Sequence, residues 1–250
     1  MLPGRTDRTM KDTLDWAVAR MKEKGYQIRS PVSLTVDPKL SIMGFAKKEG
    51  RVHKIVISEW ALDSDMLGGL VLHELAHIYF TEKGAYSHRA DMLEETLEEV
   101  KEKEGLRAKE TECLIDAFNH LQNILVDDIV FDVMGGRELE AAQRFFGEWI
   151  SDRPSGDPVV DTTLLCRNSF AIASLKRRKL FDPKGEMYYR NKAFLSALGD
   201  TAEKDFDWLE SFLERSDPDL KRKDFREALE LYFDRLISLM RGEAKMHDLR

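Results

Sequence analysis

Cysteine is nearly absent from this chain of 250 residues, which carries only Cys113 and Cys166. Two thiols so far apart exclude a disulfide framework and a Cys-x-x-Cys metal site, and they read as small core residues. Glutamine and asparagine are also scarce, three and four residues, while Lys, Arg and Glu abound. That bias is the one seen in thermophile proteins, and it sets the expectation of a thermophilic, archaeal source. Positive charge is not in excess: the net charge is -7 with 34 % of residues charged, so nucleic acid is not an expected partner. No apolar run reaches the length of a membrane span, and Met1 to Asp12 has no apolar signal core. The expectation is therefore a cytoplasmic protein with no membrane partner. Neither an internal repeat nor a low-complexity tract is present.

In the most apolar stretch, Leu67 to Phe80, every residue other than His73, Glu74 and His77 is apolar, Gly or Tyr. On a helix, His73 and His77 project from one face one turn apart, so two imidazoles can reach one metal ion. Glu74 lies one position round the helix, placed to address a water on that metal. Burying these three groups without partners would cost several kcal/mol. A metal satisfies all of them, and His-Glu-x-x-His is the pattern that zinc hydrolysis uses; the alternative is a metal-free core helix whose histidines hydrogen-bond to backbone or to acids.

Ahead of this run, Lys11 to Lys24 reads as an amphipathic helix stopped by Gly25. Val32, Leu34 and Val36 alternate with polar residues as a half-buried strand ended by Pro38. Ile42 to Ala46 and Val52 to Ile57 flank a polar turn with Gly50, which predicts a hairpin. Asp63 or Ser64 is expected to cap the apolar helix, Gly68 and Gly69 to admit a close backbone, and Gly84 to end the helix. After Ala85 to His88, a loop expected over the site, a charged helix spans about Arg89 to Lys103. Its glutamates read as a solvated face.

The next helix, about Ala108 to Met134, carries Asp116, His120, Asn123 and Asp127 on one stripe. Zinc catalysis needs a third protein ligand with one position left open, and a carboxylate from a later helix can supply it. Asp127 is the first choice, with Asp128, His120, Asp116 and Glu112 as the alternatives. Asn123 would orient a ligand from one turn away. His53 and His247 read as surface or strand residues.

The Val71 to Tyr79 run resembles the active-site helix of the zincin metallopeptidases. The later helix resembles the Asn-x-x-x-Asp pattern of some prokaryotic metallopeptidases and, more loosely, the Glu-bearing second helix of the gluzincins. The commonest gluzincin form has Glu first and Asp four residues later, whereas Asn123 stands in the first place here. The resemblance implies an α+β fold, with a small N-terminal antiparallel sheet before the active-site helices and a mainly helical C-terminal half. It also implies a bound Zn2+, peptide or unfolded-protein substrates, and Glu74 as general base passing a proton to the leaving amine. In zincins an edge strand beside the cleft pairs with extended substrate, and Val52 to Ser58 is the candidate, its alternative being an ordinary internal strand. His120 would polarise the substrate carbonyl, its alternative being a hydrogen-bonded helix histidine; Tyr86 and His88 are weaker candidates for that role.

Beyond Gly135-Gly136 the pattern is helical, with no further catalytic motif. The loop Ser151 to Pro158 is the expected boundary between a catalytic domain, 1–150, and a helical subdomain, 151–250. Helices are expected over about 138–150, 162–179, 187–198, 202–215 and 219–241. The basic clusters Lys176-Arg177-Arg178-Lys179 and Lys221-Arg222-Lys223 read as solvated faces. A different class of function keeps the metal without turnover, as an inactive metal-binding or helical peptide-binding regulatory module. The composition predicts a thermal midpoint above the mesophile range of about 45–65 °C; a calorimetric scan with its midpoint inside that range would contradict the thermophile expectation.

Overall fold

Gly50 adopts φ 62, a conformation that costs glycine little, and it turns β2 (Gly44–Glu49) back antiparallel onto β3 (Val52–Ser58). The computed structural model describes residues 10–62, 64 and 66–243, without the side chain of Arg137. On the other side of β3 lies β1 (Val32–Asp37), which runs parallel to it, Val32 opposite His53 and Asp37 opposite Ser58. The order is β1-β3-β2, so the sheet is mixed where an antiparallel one was expected.

This order corrects the expected substrate strand. Val52–Ser58 is the central strand, paired on both edges, and has no free main-chain groups to offer an added strand. The two edge strands of the sheet are β1 and β2. The N–H of Ser58 donates to the Met43 carbonyl at 2.9 Å. Because bonded and non-bonded pairs alternate along an antiparallel ladder, Gly44, Ala46 and Lys48 then point their N–H and C=O away from β3.

Two compact units divide the chain, Met1–Gly84 with Val126–Ala142, and Ala85–Leu125 with Gln143–Arg250. The first holds the sheet with α1 (Met10–Glu23), α2 (Glu59–Leu62) and α3 (Leu67–Lys83). The helix α3 packs on α1 and against β2 and β3. What lies close to its glycines is side chain rather than backbone: a Cβ on Gly68 would stand 3.1 Å from the Trp16 ring, and one on Gly69 would stand 2.4 Å from the Met134 methyl. Ser64 does not cap α3; its hydroxyl takes the N–H of Met66 at 3.1 Å, in a turn ahead of the first helical residue. Asp63, the other expected cap, and His247 lie outside the described residues. Gly84 ends α3 in the left-handed conformation, φ 75.

The second unit is helical. It contains α4 (Ala90–Glu104), α7 (Pro158–Arg177), α8 (Glu186–Leu198), α9 (Ala202–Glu214) and α10 (Arg222–Met240). Two further helices, α5 (Ala108–Val133) and α6 (Arg137–Trp149), run from one unit into the other. Tyr86–His88 is a single tight turn of this unit, with Ser87 buried and its carbonyl held by Gln122 at 2.7 Å. The glutamate face of α4 is only partly solvated: Arg222 pairs with Glu95, Arg226 with Glu99 and Arg241 with Glu104. The helix α10 starts at Arg222 because Asp217 spends its carboxylate on a turn, accepting the N–H of Asp219 at 2.8 Å. Among the described residues no helix is long and apolar enough to cross a membrane.

The loop expected as a domain boundary is instead stitched into the second unit. Asn168 accepts the N–H of Ser151 at 2.9 Å and donates to its carbonyl at 3.0 Å. Asp161, 9 % exposed, accepts the N–H of Ser155 at 2.6 Å, its hydroxyl at 2.8 Å and the N–H of Gly156 at 3.1 Å. Asp157 caps α7 through the N–H groups of Val159 and Val160. Removing the Asp161 carboxylate strands these donors, so Asp161→Ala is expected to destabilise the protein by about 2–3 kcal/mol. The exposed turn variant Asp182→Ala is expected to stay below about 1 kcal/mol. Urea unfolding of both variants makes the comparison, and equal costs would contradict the stitched-loop account.

Candidate metal centre

An apolar helix must bury most of its surface, and α3 buries Val71, Leu72, Leu75, Ala76 and Ile78 around the motif. His73 and His77 stay half-buried. Their Nε2 atoms approach to 3.2 Å, with the rings tilted 73° to one another. Two nitrogens bound tetrahedrally to one zinc at 2.0–2.1 Å stand about 3.3 Å apart. The pair therefore has the spacing of two zinc ligands.

Asp127 is buried in the same unit, and its Oδ1 lies 3.6 Å from Nδ1 of His73. It thus faces the ring nitrogen opposite the one that meets His77, which is the position of a carboxylate that orients a ligand rather than of the expected third ligand. Several contacts put it there. Arg20, near the end of α1, donates to the Val133 carbonyl at 3.0 Å and so holds the last turn of α5. Tyr26 donates to Asp132 at 3.2 Å and sets its ring edge-on to Tyr79 of α3, 5.5 Å between centroids. Nothing in the local sequence pairs Arg20 or Tyr26 with α5; these contacts are tertiary.

Glu74 is 5 % exposed. Burial pushes its carboxyl above the ordinary range, while the His73 charge and a hydrogen bond from the backbone N–H of Ala46 pull the other way. Ala46 is one of the residues whose main chain faces outward from β2, so the strand parity supplies the bond. His53, expected as a surface or strand residue, is a buried strand residue 3.3 Å from Glu82. Glu82 in turn accepts the N–H groups of Arg29 at 2.7 Å and Ser30 at 2.8 Å, tying the end of α3 to the chain before β1.

His120 departs from expectation. It belongs to the second unit, is buried, and stacks on Phe170 with centroids 4.8 Å apart. Its Nδ1 lies 3.6 Å from Sγ of Cys166, whose sulfur meets the Tyr232 hydroxyl at 2.8 Å. It is a core histidine and faces no cleft. Burial also pushes the Cys113 thiol up to about 11 and that of Cys166 higher still, so both are inert. Of the alternative ligands, Asp116 and Glu112 are exposed on the second unit's part of α5, and Asp128 is half-buried in the first unit. Among the described residues, no three His, Cys, Asp or Glu side chains group as a metal cage; the His73–His77 pair supplies two donors.

A family model described as a family of unknown function (DUF5781) matches residues 15–232. The chain belongs to this family. No curated protein and no solved structure matches it. The DUF5781 match spans His73, Glu74, His77 and Asp127 as well as the buried His120, and its description carries no activity.

Burial, and secondarily the Arg167 charge, push His120 down to about 4, against about 6.5 for an ordinary histidine. Between those values the unfolded chain takes up a proton that the folded chain refuses. The contribution is therefore complete above about pH 6.5 and is lost as pH falls toward 4. The expected loss between pH 7 and pH 5 is about 2 kcal/mol, measured by urea unfolding, and His120→Leu should abolish this part of the slope. Identical pH slopes in the two proteins would show that His120 is not held neutral.

Proposed function

We propose that this protein is a zinc-dependent hydrolase of peptidase type, in which His73 and His77 hold the metal and Glu74 is the general base. The observation that carries the reading is the 3.2 Å approach of the two Nε2 atoms on one helical face. Neutral imidazoles meeting through those atoms gain little unless a proton or a cation lies between them. Zinc, when bound, supplies a Lewis acid that lowers the pKa of water to about 7 and polarises a carbonyl.

The chain's own groups do the rest. Asp127 favours the tautomer with its proton on Nδ1 of His73, which leaves Nε2 as a lone-pair donor. It is a positioning residue in this reading. The N–H of Ala46 holds the Glu74 carboxylate, which takes the proton of the attacking water and hands it to the leaving amine. The main-chain groups that Gly44 and Lys48 direct outward from β2 suit an extended peptide, whose hydrogen bonds would continue the sheet.

One observation favours a second reading, a metal- or peptide-binding module without turnover. The same burial of Glu74 and the same bond from Ala46 also suit a carboxylate that merely fastens α3 to β2. Metal analysis of protein purified without chelator or metal-binding tag is expected to find near-stoichiometric zinc. It should be lost in His73→Ala and His77→Ala, and affinity should fall roughly 10- to 100-fold in Asp127→Ala. Glu74→Gln should keep the metal and lose peptide hydrolysis. Zinc-loaded wild type without hydrolysis of any peptide would favour the module, and failure to take up zinc at micromolar concentration would overturn both readings.

A further inference from the structure

The hairpin of β2 and β3 is basic on a chain whose net charge is -7. From Lys47 to Lys54 it carries four Lys and Arg side chains, Lys47, Lys48, Arg51 and Lys54, against one carboxylate, Glu49. Lys47 and Lys54 stand directly opposite one another, a like-charge pair that costs stability. Glu49 answers that pair: it lies 2.6 Å from Nζ of Lys47, and Lys47 and Lys54 together hold its carboxyl below the ordinary range. The one acid of the hairpin is thereby spent. Lys48 is exposed and forms no ion pair among the described residues.

Lys48 points to the other face of the sheet from that pair. Alternation puts Gly44, Ala46 and Lys48 on one face of β2, and it is the face on which α3 packs. A Cβ on Gly44 would stand 3.5 Å from Leu70 of α3, and His53, opposite Lys48, lies 3.3 Å from Glu82 of α3. Glu82 is committed to His53 and to the N–H groups of Arg29 and Ser30, and forms no ion pair with Lys48. Lys48 thus stands about 7 Å along β2 from Ala46, the residue whose N–H holds Glu74, and its ammonium is unmatched.

We propose that Lys48 selects acidic peptides, its ammonium meeting a carboxylate side chain of an extended segment that lies along β2. The inference rests on the strand-pairing part of the peptidase reading and names the substrate class for it. Charge complementarity of this kind sets partner choice more than total affinity. The probes are two labelled eight-residue peptides of Thr and Ala, one with Glu as its second and seventh residues and the other with Gln. Both are titrated by fluorescence anisotropy into the metal-free full chain at fixed ionic strength. The Glu peptide is expected to bind about three- to fivefold more tightly. Lys48→Glu should reverse that order, whereas Lys204→Glu, at an exposed position of α9 with no ion pair among the described residues, should leave it. If the order holds in a protein that takes up no zinc, the hydrolase reading falls and the docking stands. Peptide cleavage with equal affinity for the two probes would keep the hydrolase and overturn the proposal. Binding of neither probe, or an equal effect of Lys204→Glu and Lys48→Glu, would overturn it as well.

Discussion

A carboxylate cannot be buried on an apolar helix without a partner, and Glu74 is the residue on which that constraint falls hardest. Its neighbours on α3 are committed to the core, so the partner had to come from another element. The backbone of β2 provides it, because the hairpin parity turns Ala46 away from β3 and toward the helix. Once α3 is fixed against β2 in this way, the rotation of the helix is fixed as well. His73 and His77 then share one half-buried face, with α1 and the last turns of α5 closing round it. The geometry at the histidines thus descends from a hydrogen bond made by a residue without a polar side chain.

The parts of this arrangement differ in how far they could be read from residues alone. The α+β class, the hairpin, the long apolar helix and the glycine that ends α3 follow from hydrophobic period and from turn chemistry, which are local. Strand order is not local. The alternating pattern of Val32 to Asp37 is the same whether that strand lies at an edge or in the middle, and nothing in Val52 to Ser58 announces that it is paired on both sides. Its near-continuous burial is the one hint, visible as Ile55-Val56-Ile57 without a polar interruption, the mark of a fully covered strand.

The stripe Asp116, His120, Asn123, Asp127 shows the same limit on a helix. Helical spacing correctly puts the four residues on one side of α5, yet that helix passes from one packing unit to another along its length. Asp127 reaches the histidines of the sheet-bearing unit, and His120 enters an aromatic core with Phe170 and Tyr232. A stripe defines a direction from the axis and says nothing of how the surroundings change over successive turns. Asp127 was legible as a partner of the motif; that it addresses the far nitrogen of His73 was not, since sequence spacing carries no information on which atom of a ring is met.

The path of α5 and α6 through both units has a consequence for how the protein can be taken apart. The backbone passes between them at residues 84–85, 125–126 and 142–143, so neither unit is a contiguous segment. A fragment ending at Gly84 keeps both motif histidines but forfeits Asp127 and the Val133 carbonyl that Arg20 grips. No single cut of the chain therefore yields a fragment that holds one unit whole and none of the other. A segment carrying the motif helix alone leaves behind the part of its own unit that follows residue 125, so the helix is not a self-contained cassette.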